Sequence, residues 1–170
     1  HMEFVERIAK VVSKNLDIIV GDANGADKLI QTELHRRNYN NVVIYYTDEK
    51  PRNNIGQWRI NRVRSNSKPG TRAYFTAKDL EMAKVADYGL MLWDSASTGT
   101  LNNVIQLLKG GKKSIVYVNE KNVFITLEQP DDILQLILVM SPSAQDQAER
   151  KVGLRQKISE LTHEQFEMSY

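Results

Sequence analysis

Three stretches of this chain combine residue types that can hold anions and sugars. The first is Val20-Gly21-Asp22-Ala23-Asn24-Gly25-Ala26-Asp27, which lies between a short apolar run and a helical pattern. Its glycines let backbone approach a ligand, a helix start offers free N–H groups to an anion, and Asp22 and Asp27 can accept from sugar hydroxyls. The plainer alternative is that Asn24 or Asp22 caps the helix and Gly25 makes the turn. The loop lacks the Gly-Lys-Ser/Thr of a Walker loop and does not fit GxGxxG. The second stretch is Trp93-Asp94-Ser95-Ala96-Ser97-Thr98-Gly99-Thr100. Ser95, Ser97, Thr98, Gly99 and Thr100 are more hydroxyls and glycine than one cap requires, and they suit a phosphate or ribose at a helix N-terminus.

The third stretch is the long connection from Thr47 to Ala77. Between Pro51 and Ala77 stand Arg52, Arg59, Arg62, Arg64, Lys68 and Arg72 and no acid. Within it Arg52, Asn53, Asn54 and Trp58 offer a cation for phosphate, amides for a base edge and an indole to stack on a ring. A solvated basic flap is the bland alternative, and contact with single-stranded DNA is a third, because arginine beside an aromatic suits single strands.

These stretches need a scaffold, and the apolar pattern supplies one. Asp17 to Val20, closed by Gly21, and Val42 to Tyr46 read as buried strands, with Ala26, Leu29, Ile30 and Leu34 marking a helix between them. Gly89 to Trp93, then Leu101, Val104, Ile105 and Leu108, then Ser114 to Val118 repeat strand, helix, strand. This is the βαβ rhythm of a parallel sheet, in which ligands bind beyond the carboxyl ends of the strands. Gly110-Gly111 ends the second helix. Val123 to Leu127 reads as a further strand, and Asp131-Asp132 opens an apolar helix over Ile133 to Met140. An amphipathic helix carrying Val5, Ile8, Ala9, Val12 and Leu16 opens the chain. After Ser141-Pro142-Ser143, residues 144–168 form a charged helical stretch, interrupted at Gly153, with Leu154, Ile158, Leu161 and Phe166 as its apolar set. It either lies on its own domain or grips a second subunit.

The expected architecture is therefore α/β. Residues 3–140 form a Rossmann-like three-layer domain around a mainly parallel sheet, and residues 141–170 a C-terminal helical extension. The 170 residues bound it to one domain with an appendage. No cysteine and three histidines remove disulfides, thiolate zinc and a cysteine nucleophile; no metal and no cofactor is expected. No apolar run approaches the roughly 20 residues of a membrane span, so no membrane partner is expected, and the absence of cysteine permits a reducing cytoplasm, the expected setting. The formal charge of +2 hides the acid-free basic stretch. His1-Met2 reads as a tag remnant.

The order Val20-Gly21-Asp22-Ala23-Asn24-Gly25-Ala26-Asp27, then Lys78-Asp79 with Met82 and Ala86-Asp87, then Trp93-Asp94 to Gly99-Thr100 resembles the SLOG superfamily. That group includes the Smf/DprA proteins, the Lonely-guy phosphoribohydrolases and the YspA/YpsA-like proteins, the last being the nearest branch, over about Ile18 to Val118. The resemblance implies binding of a nucleotide or nucleotide-derived molecule, as a sensor or sequestering module. It also implies a homo-oligomer. The ligand set would be Gly21, Asp22, Gly25, Asp27, Arg52, Asn53, Asn54, Trp58, Lys78, Asp79, Asp94, Ser95, Ser97, Thr98, Gly99, Thr100 and Asn103. The alternatives are a nucleotide N-glycosidase and a single-stranded DNA-binding protein of the Smf/DprA kind.

Two departures qualify the enzyme alternative. The glutamate those hydrolases carry three residues after the Gly-Thr pair is here Asn103, which cannot act as a carboxylate nucleophile or base. An arginine four residues before the helix methionine is here Lys78, a cation without a fork. The catalytic group is thus unassigned, with Asp22, Asp94, Asn103 and Lys78 as candidates and Asp27 and Asp79 as further acids. SLOG proteins also open with a strand ending in Gly-Ser-Arg, whereas this sequence starts at the following helix. Either that strand lies upstream of Met2, or Val123 to Leu127 or a partner's strand takes its place.

Overall fold

The structure is a computed structural model that describes residues 2–167, with side chains as far as residue 162. His1, Phe166 and Met168, named above, lie outside those limits. Contacts gather into two compact units, residues 1–85 and 86–170.

In the first unit α1 (Met2–Ser13) precedes β1 (Ile18–Gly21), α2 (Ala26–Arg36), β2 (Val42–Tyr46), β3 (Arg59–Arg62) and α3 (Arg72–Val85). The spacing of Phe4 and Ile8 puts both on one face of α1; they are buried, and α1 packs on α2. The strands pair in the order β1-β2-β3, both pairings parallel, with Ile18 opposite Val42 and Tyr46 opposite Arg62. β2 is central, and its Val42, Ile44, Tyr45 and Tyr46 are buried, as suits a strand covered on both faces. β3, in contrast, exposes all four of its residues, Arg59, Ile60, Asn61 and Arg62. It is an edge strand whose charge discourages further pairing.

In the second unit come β4 (Gly89–Trp93), α4 (Thr98–Lys109), β5 (Ser114–Val118) and β6 (Val123–Leu127). A 3-10 turn at Pro130–Asp132 leads into α5 (Ile133–Val139), α6 (Pro142–Val152) and α7 (Leu154–Glu167). β4 pairs parallel to β5, and β6 pairs antiparallel to the other side of β5, closing a hairpin. β6 therefore pairs with β5 alone, and no pairing joins it to β1 or β4.

Where one continuous sheet was expected, the strands form two sheets of three, and both β1 and β4 lie at sheet ends. Three of the four pairings are parallel. The fold is α/β and Rossmann-like, with C-terminal helices.

The core of the second unit joins Trp93, Leu101, Val104, Ile105 and Leu108 to Val116, Val118 and Leu127, with Ile133 and Leu136 from α5. Ala144, Ala148, Leu154 and Leu161 complete it, so the C-terminal helices lie against their own unit. Each fully buried Leu or Ile contributes about 1.5–3 kcal/mol relative to exposure, which makes α6 and α7 integral to this core. Gly153 caps α6 with φ 62, a left-handed turn that separates the two helices where the sequence placed its break. After α4 it is Gly111, with φ 64, that takes the left-handed conformation. Among the described residues no helix is long and apolar enough to cross a membrane.

Candidate functional site

Two polar clusters stand at carboxyl ends of strands, one in each unit. In the first unit β1 ends on Gly21, and Asp22 follows it into a loop that Gly25 turns with φ 87. No side chain caps α2, so neither Asp22 nor Asn24 has the capping role. Asp22 is instead 1% exposed and faces Arg52. Arg52 Nε donates to Asp22 Oδ2 at 3.0 Å, its Nη2 to Oδ1 at 2.8 Å, and its backbone N–H to Oδ2 at 3.0 Å. Burial pushes the Asp22 carboxyl upward, but the hydrogen bonds and charge of Arg52, helped by Lys78, outweigh it and hold it below the ordinary value. The Arg52 guanidinium also lies 5.3 Å from the centre of the Phe75 ring.

The neighbours of Arg52 fasten the same segment. Asn53 Nδ2 donates to the Asp22 carbonyl at 2.8 Å and to Asn24 Oδ1 at 3.0 Å. Asn54 bridges Trp58, accepting from its N–H and donating to its carbonyl. Trp58 is 8% exposed and its Nε1–H donates to the Tyr39 carbonyl at 2.8 Å. Its indole is thus part of the interior and presents no free face for a base. Gln31, which sequence reasoning passed over, is fully buried. It donates to the carbonyls of Gly21 and Asn53 and accepts from the N–H of Ile55, so one amide ties β1, α2 and the connection together. The signal was its position four residues after Asp27 and three before the buried Leu34, on one helical face.

Beside this knot stand Asp27, Lys78 and Asp79. Lys78, 5% exposed, donates to Asp79 Oδ1 at 2.7 Å and lies 3.8 Å from Asp27 Oδ2. A lysine this buried needs such partners. The Ala23 N–H donates to Asp27 Oδ2 at 3.0 Å. Burial nevertheless pushes the Asp27 carboxyl above its ordinary value, with Asp79 and Asp22 adding to the effect against the opposing pull of Lys78. Gly21 leaves room for this group: a Cβ there would collide with Asp27 Oδ2 and come within 2.7 Å of Lys78 Nζ.

In the second unit β4 ends on Trp93, whose Nε1–H donates to the Ser97 carbonyl at 3.0 Å. Asp94 Oδ1 accepts from the N–H groups of Ala96 and Ser97, so this carboxylate holds the turn. Ser95 has φ 62, is 5% exposed, and its Oγ has no hydrogen-bond partner. Ser97 is the N-cap residue of α4 without a side-chain bond to the helix, and no acid stands in the first turn, which holds Thr98, Gly99 and Thr100. Gly99 has neither a positive φ nor a packing reason to be glycine: the nearest atom to a Cβ there is Ser97 Oγ, 3.8 Å away. One turn on, Asn103 Oδ1 is buried and unpartnered.

The first unit thus brings Asp22 to Arg52 and Asn53, and Asp27 to Lys78 and Asp79. The second arranges Ser95 to Thr100 and Asn103 around one helix start. Among the described residues no group of acids and histidines is arranged to hold a metal. Comparisons with protein families, with curated proteins and with solved structures found no match.

Proposed function

We propose that the chain binds a nucleotide or nucleotide-derived small molecule, as a sensor or sequestering module, with the phosphate at the start of α4. The observation that carries this reading is Gly99. Gly99 is the second residue of α4, has no positive φ and meets only Ser97 Oγ, 3.8 Å away, where a Cβ would stand, so neither backbone nor packing calls for glycine there and its open side suits close approach by a ligand. The unpartnered Ser95 hydroxyl in the turn before α4 adds a donor, and the positive end of a 12-residue helix supplies the field. The resemblance to the SLOG group favours a nucleotide among anions, and Asn103 in place of its glutamate favours binding over catalysis.

Calorimetric titration with nucleoside monophosphates, ADP-ribose and NAD tests the proposal. Gly99→Ala should keep the fold, since the space is open, and should weaken binding on the order of tenfold by filling the ligand's approach. A folded wild-type chain indifferent to all these compounds refutes it.

One feature favours the enzyme alternative. Asp22 is committed to Arg52 and Asp94 to its turn, while the raised Asp27 carboxyl stands near a buried amine as a general acid would. N-glycosidic cleavage would then release base from a nucleoside monophosphate and be lost in Asp27→Asn.

A further inference from the structure

We propose that the first unit holds a second anion site, for the terminal phosphoryl group of a small molecule, in a pocket lined by Thr47, Arg62, Arg64, Ser65, Asn66 and Tyr74. None of these residues belongs to the α4 cluster, so the proposal stands or falls independently of the nucleotide reading.

The site follows from how β2 and β3 end. Tyr46 is opposite Arg62, and the Val63 N–H donates to the Tyr46 carbonyl at 2.8 Å, extending the ladder one residue past β3. In extended chain alternate residues share a face, so Arg62 and Arg64 project to the same side. Thr47 is the first residue beyond β2, which puts the cavity at the carboxyl ends of two parallel strands. Tyr74, in the first turn of α3, donates its hydroxyl to the Thr47 carbonyl at 3.0 Å and forms a wall. The cavity measures about 340 Å³, at the small end of ligand pockets.

Three features specify its occupant. Thr47 is 4% exposed and its Oγ1 is buried with no hydrogen-bond partner, although buried hydroxyls ordinarily find one. Arg62 and Arg64 form no ion pair among the described residues, unlike Arg36, Arg37 and Arg52, and no acid stands between Pro51 and Ala77. Ser65 and Asn66 add short polar side chains. Two guanidinium forks with hydroxyl and amide donors exceed what one carboxylate can use. A terminal phosphate, with three free oxygens and nearly two charges at neutral pH, matches them. The buried, unpartnered Thr47 hydroxyl in the lining favours a single terminal phosphate over the continuous track of a nucleic-acid backbone.

The test is calorimetry on the full chain at fixed ionic strength, with inorganic phosphate, ribose 5-phosphate and ribose as probes. Phosphate and ribose 5-phosphate should bind and ribose should not. The double variant Arg62→Gln/Arg64→Gln changes exposed side chains, so it should keep the wild-type Tm and lose on the order of tenfold or more in affinity. Thr47→Val should lose a few-fold. Unchanged affinity in the double variant overturns the proposal. So does binding of oligothymidylate with a steep salt dependence and no response to inorganic phosphate, which would assign the arginines to nucleic acid.

Discussion

Replacing Arg52 by glutamine would leave the Asp22 carboxylate, 1% exposed, without its two side-chain donors. Hydrogen bonds to a charged group contribute about 1.5–3 kcal/mol each when well buried. The Arg52 side chain is 39% exposed, so solvent screens the pair, and Asp22 keeps the Arg52 backbone N–H and the charge of Lys78. The expected loss for Arg52→Gln is therefore about 1.5–3 kcal/mol in all. Part of it, about 0.5–1 kcal/mol, belongs to the contact with Phe75. A double-mutant cycle with Asp22→Asn separates the two, because the Phe75 contact is lost in both arms that remove Arg52 and cancels. The coupling should be about 1–2 kcal/mol. The two tryptophans fall one in each unit, so a Trp93→Phe background lets Trp58 fluorescence report the first unit alone during urea unfolding.

The pH dependence gives a second check on the same pair. Asp22 titrates below its ordinary value in the native state, so its contribution is present above pH 3.8 and is lost as pH falls through the native value. Without Arg52, burial would raise that carboxyl instead. The stability difference between wild type and Arg52→Gln should thus be flat from about pH 6 to pH 8 and close in acid. A coupling below about 0.3 kcal/mol, or a difference that persists unchanged in acid, would refute the pairing as the force that holds the segment.

Asp27 has the opposite sign. Its native value is raised, so its stabilising contribution is complete below pH 3.8 and declines as pH rises through the raised value. Asn mimics the protonated acid, so Asp27→Asn should have a higher Tm relative to wild type at pH 7 than at pH 3.5; an advantage that grows in acid contradicts this. Gly153→Ala places a Cβ on a residue with φ 62 and should cost about 1 kcal/mol, read as a lower urea midpoint by Trp93 fluorescence. No change would mean that the junction between α6 and α7 relaxes out of the left-handed conformation.

The strands that were legible, β1, β2, β4, β5 and β6, are short apolar runs, β-branched or aromatic in β1, β2, β5 and β6 and leucine-rich in β4. β3 was not legible because Arg59-Ile60-Asn61-Arg62 is an exposed edge without an apolar face, and its pairing comes from β2. The same gap made residues 47–77 look like one long connection, although Arg72 already begins α3. Single loops could be found in sequence by glycine and hydroxyl content. Their partners could not: the fork from Arg52 to Asp22 joins residues 30 apart, and no local pattern marks it. Trp58 looked like a stacking surface for the same reason, since only the Tyr39 carbonyl reveals that its indole is committed inside.

The contrast between the two sheets has a kinetic consequence. β5 and β6 are joined by the four residues Asn119 to Asn122, so the second unit owns a local hairpin that can close within microseconds. The first unit has only parallel pairings, and each requires the chain to cross over before a single ladder bond forms. The Asp22–Arg52 knot and the arginine pocket are therefore products of the slower closure. A nascent chain would carry the acid-free basic stretch from Arg52 to Arg72 unfolded for the whole of that interval.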